Sequence, residues 1–249
     1  MSGHSKWATI KHKKGAADKA RAKIFNKIAR LLEVAAREGG ADPTSNAPLR
    51  TVIQKAKAAQ MTNDAIDRAV KRGAGLSEGG TYESITYEGY APGGVAILID
   101  VLTDNRNRTG AEIRSIFSKT GGAMAEPGAV SWQFSRKGLV YLPGTASEDA
   151  PPLAAVDAGA EDISRDGDDW KVTCEPGRTE DVKSALEAAG LTVTSAETTM
   201  ISSTIIEVGD VVDARKVLRV MDALEENDDV QDVYANFDIP DAVMDLVDA

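Results

Sequence analysis

The hydrophobic period of this chain changes at one short segment, Gly73–Gly80, which holds four glycines. Before it, apolar residues recur at three- and four-residue steps, the spacing that places side chains on one face of a helix. From Tyr82 onward they alternate with polar residues, as in a strand. Charge reverses at the same place. Residues 1–75 carry 16 Lys and Arg against 6 Asp and Glu, and the rest of the chain carries 13 against 33. A formal charge of −10 for the whole chain therefore conceals a basic module of net +10 followed by an acidic one of net −20.

The basic module begins with SGHSKWATIKHKK at residues 2–14, too polar to build a core and read as an arm that stays mobile until it meets a partner. A helix is expected from Ala16 to Glu38, with Ala20, Ile24, Ile28, Leu31 and Ala35 as its apolar stripe. Lys19, Lys23, Lys27, Arg30 and Arg37 keep the same rhythm beside it, and Gly39-Gly40 ends the helix. A second helix follows Asn46 and buries Leu49, Val52, Ile53 and Ala56, leaving Lys55 and Lys57 outside. A third starts at Thr62, a good N-cap, with Met61 and Ile66 at the spacing of a hydrophobic staple.

The acidic module reads as α+β. Tyr82–Tyr90 and Val95–Leu102 flank Pro92-Gly93-Gly94 as a hairpin. Thr109 and Glu112 have capping-box spacing and open a helix that buries Ile113, Ile116 and Phe117, and a strand is expected near Val130–Phe134. Six pieces then follow in the order strand, helix, strand, strand, helix, strand. They are Leu139–Leu142, a helix after Pro151-Pro152, Asp162–Ser164, Trp170–Cys174, Thr179–Ala189 and Leu191–Ala196. That is the βαββαβ order of a ferredoxin-like unit. A last helix, capped by Asp210, and a strand with Val233, Ala235 and Phe237 cannot make a domain alone. They are expected to complete the sheet begun at Tyr82. The domains predicted are thus 1–80, 81–135 with 204–249, and an inserted 136–203.

Few residues suit catalysis. The two histidines, His4 and His12, both sit in the arm, where no packing holds an imidazole in register with a nucleophile. One cysteine, Cys174, excludes an internal disulfide and falls short of a zinc site; alternating with Trp170 and Val172, it reads as part of a strand face. Phosphate-cradling glycine motifs are missing. The expectation is a non-enzymatic protein with no cofactor, no metal and no small-molecule substrate. No apolar run reaches the roughly 18 residues needed to cross a bilayer, and the expected location is cytoplasmic, with no membrane partner.

The partner expected from charge is nucleic acid, because each phosphate neutralised by Lys or Arg releases condensed counterions. The candidate contacts are Lys6, Trp7, Lys11, His12, Lys13, Lys14, Lys19, Arg21, Lys23, Lys27, Arg30, Lys55 and Lys57. Trp7 either stacks on an unpaired base or packs back onto the helices. Arg106 and Arg108, in Asp104-Asn-Arg-Asn-Arg-Thr109, either make a secondary phosphate contact at a helix N-terminus or belong to a polar loop that caps backbone groups. Acidic runs at 148–169 and 225–232 read as solvated faces. An acidic protein partner for the arm is the competing reading.

Several stretches resemble one family in order and spacing. They are Gly3-His-Ser-Lys-Trp-Ala-Thr-Ile-Lys-His-Lys-Lys14, Lys23-Ile-Phe25, Tyr87-Glu-Gly-Tyr-Ala-Pro-Gly-Gly94, Asp104–Thr109 and Asp228-Asp-Val-Gln-Asp-Val-Tyr234. Nearly end to end, the chain is similar to the YebC/PmpR family, which includes the mitochondrial translational activator of cytochrome c oxidase. The resemblance implies three domains, the third interrupting the second, and a DNA-binding transcriptional regulator without enzymatic activity. Some members look instead like ribosome-associated translation factors, which leaves structured RNA, including ribosomal RNA, as the alternative target.

Overall fold

Three helices begin the fold of the computed structural model, which describes residues 18–77, 80–145, 155–167 and 169–248. They are α1 (Asp18–Gly39), α2 (Ala47–Ala58) and α3 (Asn63–Gly73). Asn46 caps α2 by accepting from the Leu49 N–H at 3.0 Å, while its amide donates to the carbonyls of Ala35 and Gly40. One buried side chain thus satisfies orphan groups at two helix ends. The Thr62 hydroxyl caps α3 through the Ala65 N–H at 3.3 Å. Gly73 allows α3 to touch α1, since a Cβ there would collide with the Glu33 backbone.

These helices enclose their own core of Ile28, Leu32, Ala36, Leu49, Ala56, Ile66, Ala69 and Val70. The buried stripe of α1 differs from the sequence expectation. Leu32 and Ala36 are sealed, Leu31 is half-buried, and Ile24 is 46% exposed. At about 1.5 Å per residue α1 is roughly twice as long as either helix packed on it, so its first turns extend past their cover.

After the glycine-rich segment come β1 (Glu83–Tyr90), β2 (Ala96–Thr103), α4 (Arg106–Thr120) and the short β3 (Ala123–Ala125). Then follow β4 (Phe134–Leu142), β5 (Ala160–Asp166), β6 (Asp169–Cys174), α5 (Thr179–Ala188), β7 (Ser195–Ser202), β8 (Ile206–Glu207), α6 (Val211–Glu225), β9 (Val230–Ala235), β10 (Phe237–Asp238) and α7 (Asp241–Asp248). Three sheets result, ordered β3-β1-β2-β9, β5-β6-β4-β7 and β10-β8. The chain leaves the first sheet, builds the second, and returns to pair β9 antiparallel with β2. The interrupted topology expected from the residues is the one observed. The second sheet has the strand order of a ferredoxin-like unit, with all described pairings antiparallel.

Helices α4 and α6 cover one face of the first sheet, where Ile97, Ile99, Ile113, Phe117, Val217, Met221 and Val233 share a core. Ala96, Leu98 and Tyr234 on its other face meet Phe134 and Met200. Both faces of β2 are therefore covered, which is why it reads as an almost unbroken apolar run. Cys174 lies buried with Val140, Val172 and Leu186, and burial pushes its thiol up. That fits the strand-face reading and disfavours a reactive thiol.

Several boundaries differ from expectation. Asn105, not Thr109, caps α4, accepting from the Arg108 N–H at 3.1 Å. Residues 131–133 form a 3-10 turn, and the strand starts at Phe134. The last strand of the second sheet begins at Ser195, later than Leu191. Helix α7 was not expected. The helix after Pro151-Pro152 falls largely outside the described residues, with 155–157 helical.

The separate helical core makes a local prediction. Leu32→Ala should destabilise the three-helix unit by about 2–5 kcal/mol. Amide exchange should speed up across residues 24–73 while protection in β2 and β9 is unchanged; loss of protection in both would mean the cores are not independent.

Candidate nucleic-acid interface

Lys23, Lys27 and Arg30 lie four and three residues apart, hence on one face of α1. The fold turns that face toward the end of α6. A helix C-terminus leaves its last carbonyls without intrahelical partners and carries partial negative charge. Lys23 Nζ donates to the Glu226 carbonyl and Lys27 Nζ to the Glu225 carbonyl, each at 2.9 Å. Arg30 donates to the Asp228 carbonyl at 2.8 Å and to Asp229 Oδ1 at 2.6 Å. Its guanidinium also lies 5.6 Å from the Tyr82 ring centroid.

Asp229 is the centre of this arrangement. It is 3% exposed, and its second oxygen accepts from Arg108 Nη2 at 2.6 Å and from the hydroxyls of Thr109 and Thr103. Its backbone N–H donates to Asn227 Oδ1, and its carbonyl accepts from the Leu102 N–H. Asn227 in turn donates to Glu112. Burial alone would raise the Asp229 carboxyl. Hydrogen bonds from Thr109, Arg108 and Arg30, with the Arg30 charge, outweigh it and hold the group below its ordinary 3.8. The bond to Asp229 correspondingly raises Arg108. Around them opens a cleft of about 440 Å³ lined by Lys23, Arg30, Asp104, Arg108, Glu226 and Asp228, among others.

Within the cationic stripe expected on α1, three positions find partners inside the chain. Lys23, Lys27 and Arg30 are engaged by the α6–β9 turn, because carbonyls at a helix end and a buried carboxylate both demand cations. Arg108 finds partners too, since its guanidinium bonds Asp104 and Asp229, which favours the capping reading of that loop over a phosphate contact. Arg106 is exposed. Lys55 and Lys57 sit exposed on α2 as expected, in a helical unit that also exposes Arg37, Arg50 and Arg68. Lys71 and Arg72 are paired with Asp67 and Glu33. Lys19 and Arg21 lie on α1, with side chains outside those described, and Lys6, Trp7, Lys11, His12, Lys13 and Lys14 lie outside the described residues altogether.

Asp229 belongs to the acidic run 225–232 expected to be a solvated face, and its burial overturns that reading at this position. Thr109, expected to open a helix, instead serves Asp229 together with Thr103. The only trace of this in the sequence is a carboxylate directly before the buried strand Val230–Ala235, a place where an unpaired charge would be costly. Among the described residues no group of three or more His, Cys, Asp and Glu is placed to hold a metal, and no helix is long and apolar enough to cross a membrane.

Since Asp229 titrates lower folded than unfolded, the stability it supplies is complete above the ordinary carboxyl value and is lost as pH falls through the folded one. Asp229→Ala should cost about 1–3 kcal/mol at neutral pH, by leaving the buried threonine hydroxyls and the half-buried Arg30 without their acceptor. It should also flatten the acid limb of a stability–pH profile below about pH 4; an unchanged acid limb would remove Asp229 from its assigned part.

Residues 5–76 match the family model described as the TACO1/YebC protein N-terminal domain, and residues 82–237 match the TACO1/YebC second and third domain. A protein of Rubrobacter xylanophilus named "Probable transcriptional regulatory protein" is 54% identical over 246 residues, covering 98% of both chains. A protein of the same name from Acidithiobacillus ferrooxidans is 53% identical over 249 residues, covering 100% of this chain and 99% of its own. The crystal structure of a conserved hypothetical protein from Aquifex aeolicus superposes with a TM-score of 0.79 at 43% identity, over 94% of this chain and 97% of that one. With both segments of the chain matched in order and relatives aligned over essentially its full length, the chain belongs to the TACO1/YebC family.

Proposed function

We propose that this protein is a cytoplasmic, non-enzymatic regulator of gene expression that binds nucleic acid, in the first instance DNA, through its N-terminal helical unit and the arm before it. The observation that carries the reading is the confinement of net positive charge to the N-terminal segment, whose helices pack around their own core, on a chain that is otherwise net acidic. An acidic remainder of net −20 repels a polyanion and orients the molecule with the helices toward it. The names of the relatives from Rubrobacter and Acidithiobacillus support a regulator of transcription.

The contacts we assign are the arm cations Lys6, Lys11, Lys13 and Lys14, with Trp7 and His12, then Lys19 and Arg21 on α1 and Lys55 and Lys57 on α2. Lys55 and Lys57 are exposed on α2 to either side of the buried Ala56, and as flexible point charges they suit phosphates better than base edges. Binding of this kind reads charge and shape.

Fluorescence anisotropy with duplex DNA over a salt series tests the assignment. The logarithm of affinity should fall linearly with the logarithm of salt concentration. The Lys55→Glu, Lys57→Glu double variant should bind more weakly, its slope shallower by about 0.9 for each phosphate it no longer neutralises. Equal affinity for wild type and double variant would remove α2 from the interface. Absence of salt-dependent DNA binding, together with retention on structured RNA, would transfer the target to RNA.

A further inference from the structure

The partners that hold Lys23, Lys27 and Arg30 are oxygens at 2.6–2.9 Å: the carbonyls of Glu226, Glu225 and Asp228, and one carboxylate oxygen of Asp229. Glu226 and Asp228 add exposed negative charge beside them. To the α1 face this resembles a phosphate backbone in one respect, a row of acceptor oxygens within hydrogen-bond reach of successive cations. Three of them are carbonyls with partial negative charge and one is a carboxylate oxygen. Resting on the reading of the helical unit as a nucleic-acid binder, we propose that the α6–β9 turn is an internal competitor for that face. It covers Lys23, Lys27 and Arg30 in the closed state, and nucleic acid displaces it.

Three features make the contact separable. The core of α1–α3 and the core around β2 and α6 have no residue in common, so parting them opens neither. The connection after α3 contains Gly75, Gly79 and Gly80, and Gly75 adopts a positive φ of 75° that favours glycine. Finally, Asp229 is not stranded when Arg30 leaves. Arg108, Thr109 and Thr103 all reach it from its own domain, so the buried carboxylate keeps a resident counter-ion. Arg30, from the other domain, is the detachable partner.

Glu33 shows the contrasting case. Its carboxylate, 4% exposed, takes Arg72 at 2.6 Å within the helical unit, so α1 and α3 move together. The device is therefore a rigid three-helix body, a glycine-rich connection and a polar clasp. Displacement frees three cations that extend the exposed positive surface toward the arm.

Pulsed electron–electron spin resonance on full-length protein labelled at Thr51→Cys on α2 and Ser118→Cys on α4 reads the distance between the two bodies; both positions are exposed, and Cys174 is buried. At low salt one closed distance is expected. Adding a short duplex DNA should deplete that peak and populate longer distances. Raising salt from about 0.1 M to about 1 M, which shortens the screening length from about 10 Å to about 3 Å, should do the same without DNA. Glu226→Lys with Asp228→Lys, exposed positions outside every core, should open the molecule at low salt with neither. If DNA binds and the closed peak persists, the clasp is not displaced and the proposal falls while the function stands. If DNA does not bind, the function falls and displacement with it. If salt and the double variant both leave the distance unchanged, the contact is a fixed interface and the proposal is overturned.

Discussion

Asp229 keeps a full negative charge where water reaches almost none of it, and the rest of the arrangement can be read as its consequences. A carboxylate in that position is tolerable only with several donors. They come from three places: Thr103 at the end of β2, Arg108 and Thr109 in the first turn of α4, and Arg30 from the helical unit. The residue that anchors β9 beside β2 thus also holds the first turn of α4 and the inward face of α1.

The same cluster alters the meaning of the charge asymmetry. Opposite charge on two modules of one chain attracts them to each other before either meets a partner. Here the attraction is focused at one helix end, where the partial charge of unsatisfied carbonyls adds to that of Glu226 and Asp228. Polar contacts of this sort, partly open to solvent, are individually weak and sensitive to salt. A competing polyanion, by contrast, brings many oxygens at once. The acidic module thus occupies part of the cationic face of α1 itself.

A second carboxylate shows how a buried acid can shape a loop without any cation. Glu88, 6% exposed, accepts from the backbone N–H groups of Gly128, Val130 and Ser131. Burial would raise its carboxyl, and these backbone bonds outweigh it and lower the group below its ordinary 4.5. The effect is to fold residues 126–131 into the turn that delivers the chain to Phe134. The sequence there suggested a strand because Val130 and Phe134 are apolar, yet the carboxylate claims the N–H groups a ladder would have used. Thr109 was misread for a related reason. Its hydroxyl suits a helix cap, but Asn105 already serves α4, and Thr109 is drawn inside toward Asp229.

Much of this protein was legible in its residues because the deciding forces are local. Period, caps and glycines determine where α1–α3 lie; alternation marks the hairpin of β1 and β2; and element order alone leaves β9 without a partner unless it returns to β2. The reversal of charge at Gly73–Gly80 needs no fold to be seen. What tertiary structure decided is which cations face outward. Lys23, Lys27 and Arg30 look equivalent to Lys55 and Lys57 along the chain, and only the placement of the α6 terminus, far later in the sequence, distinguishes them. Coulomb interactions depend on distance in space and on local solvent, and a linear sequence states neither.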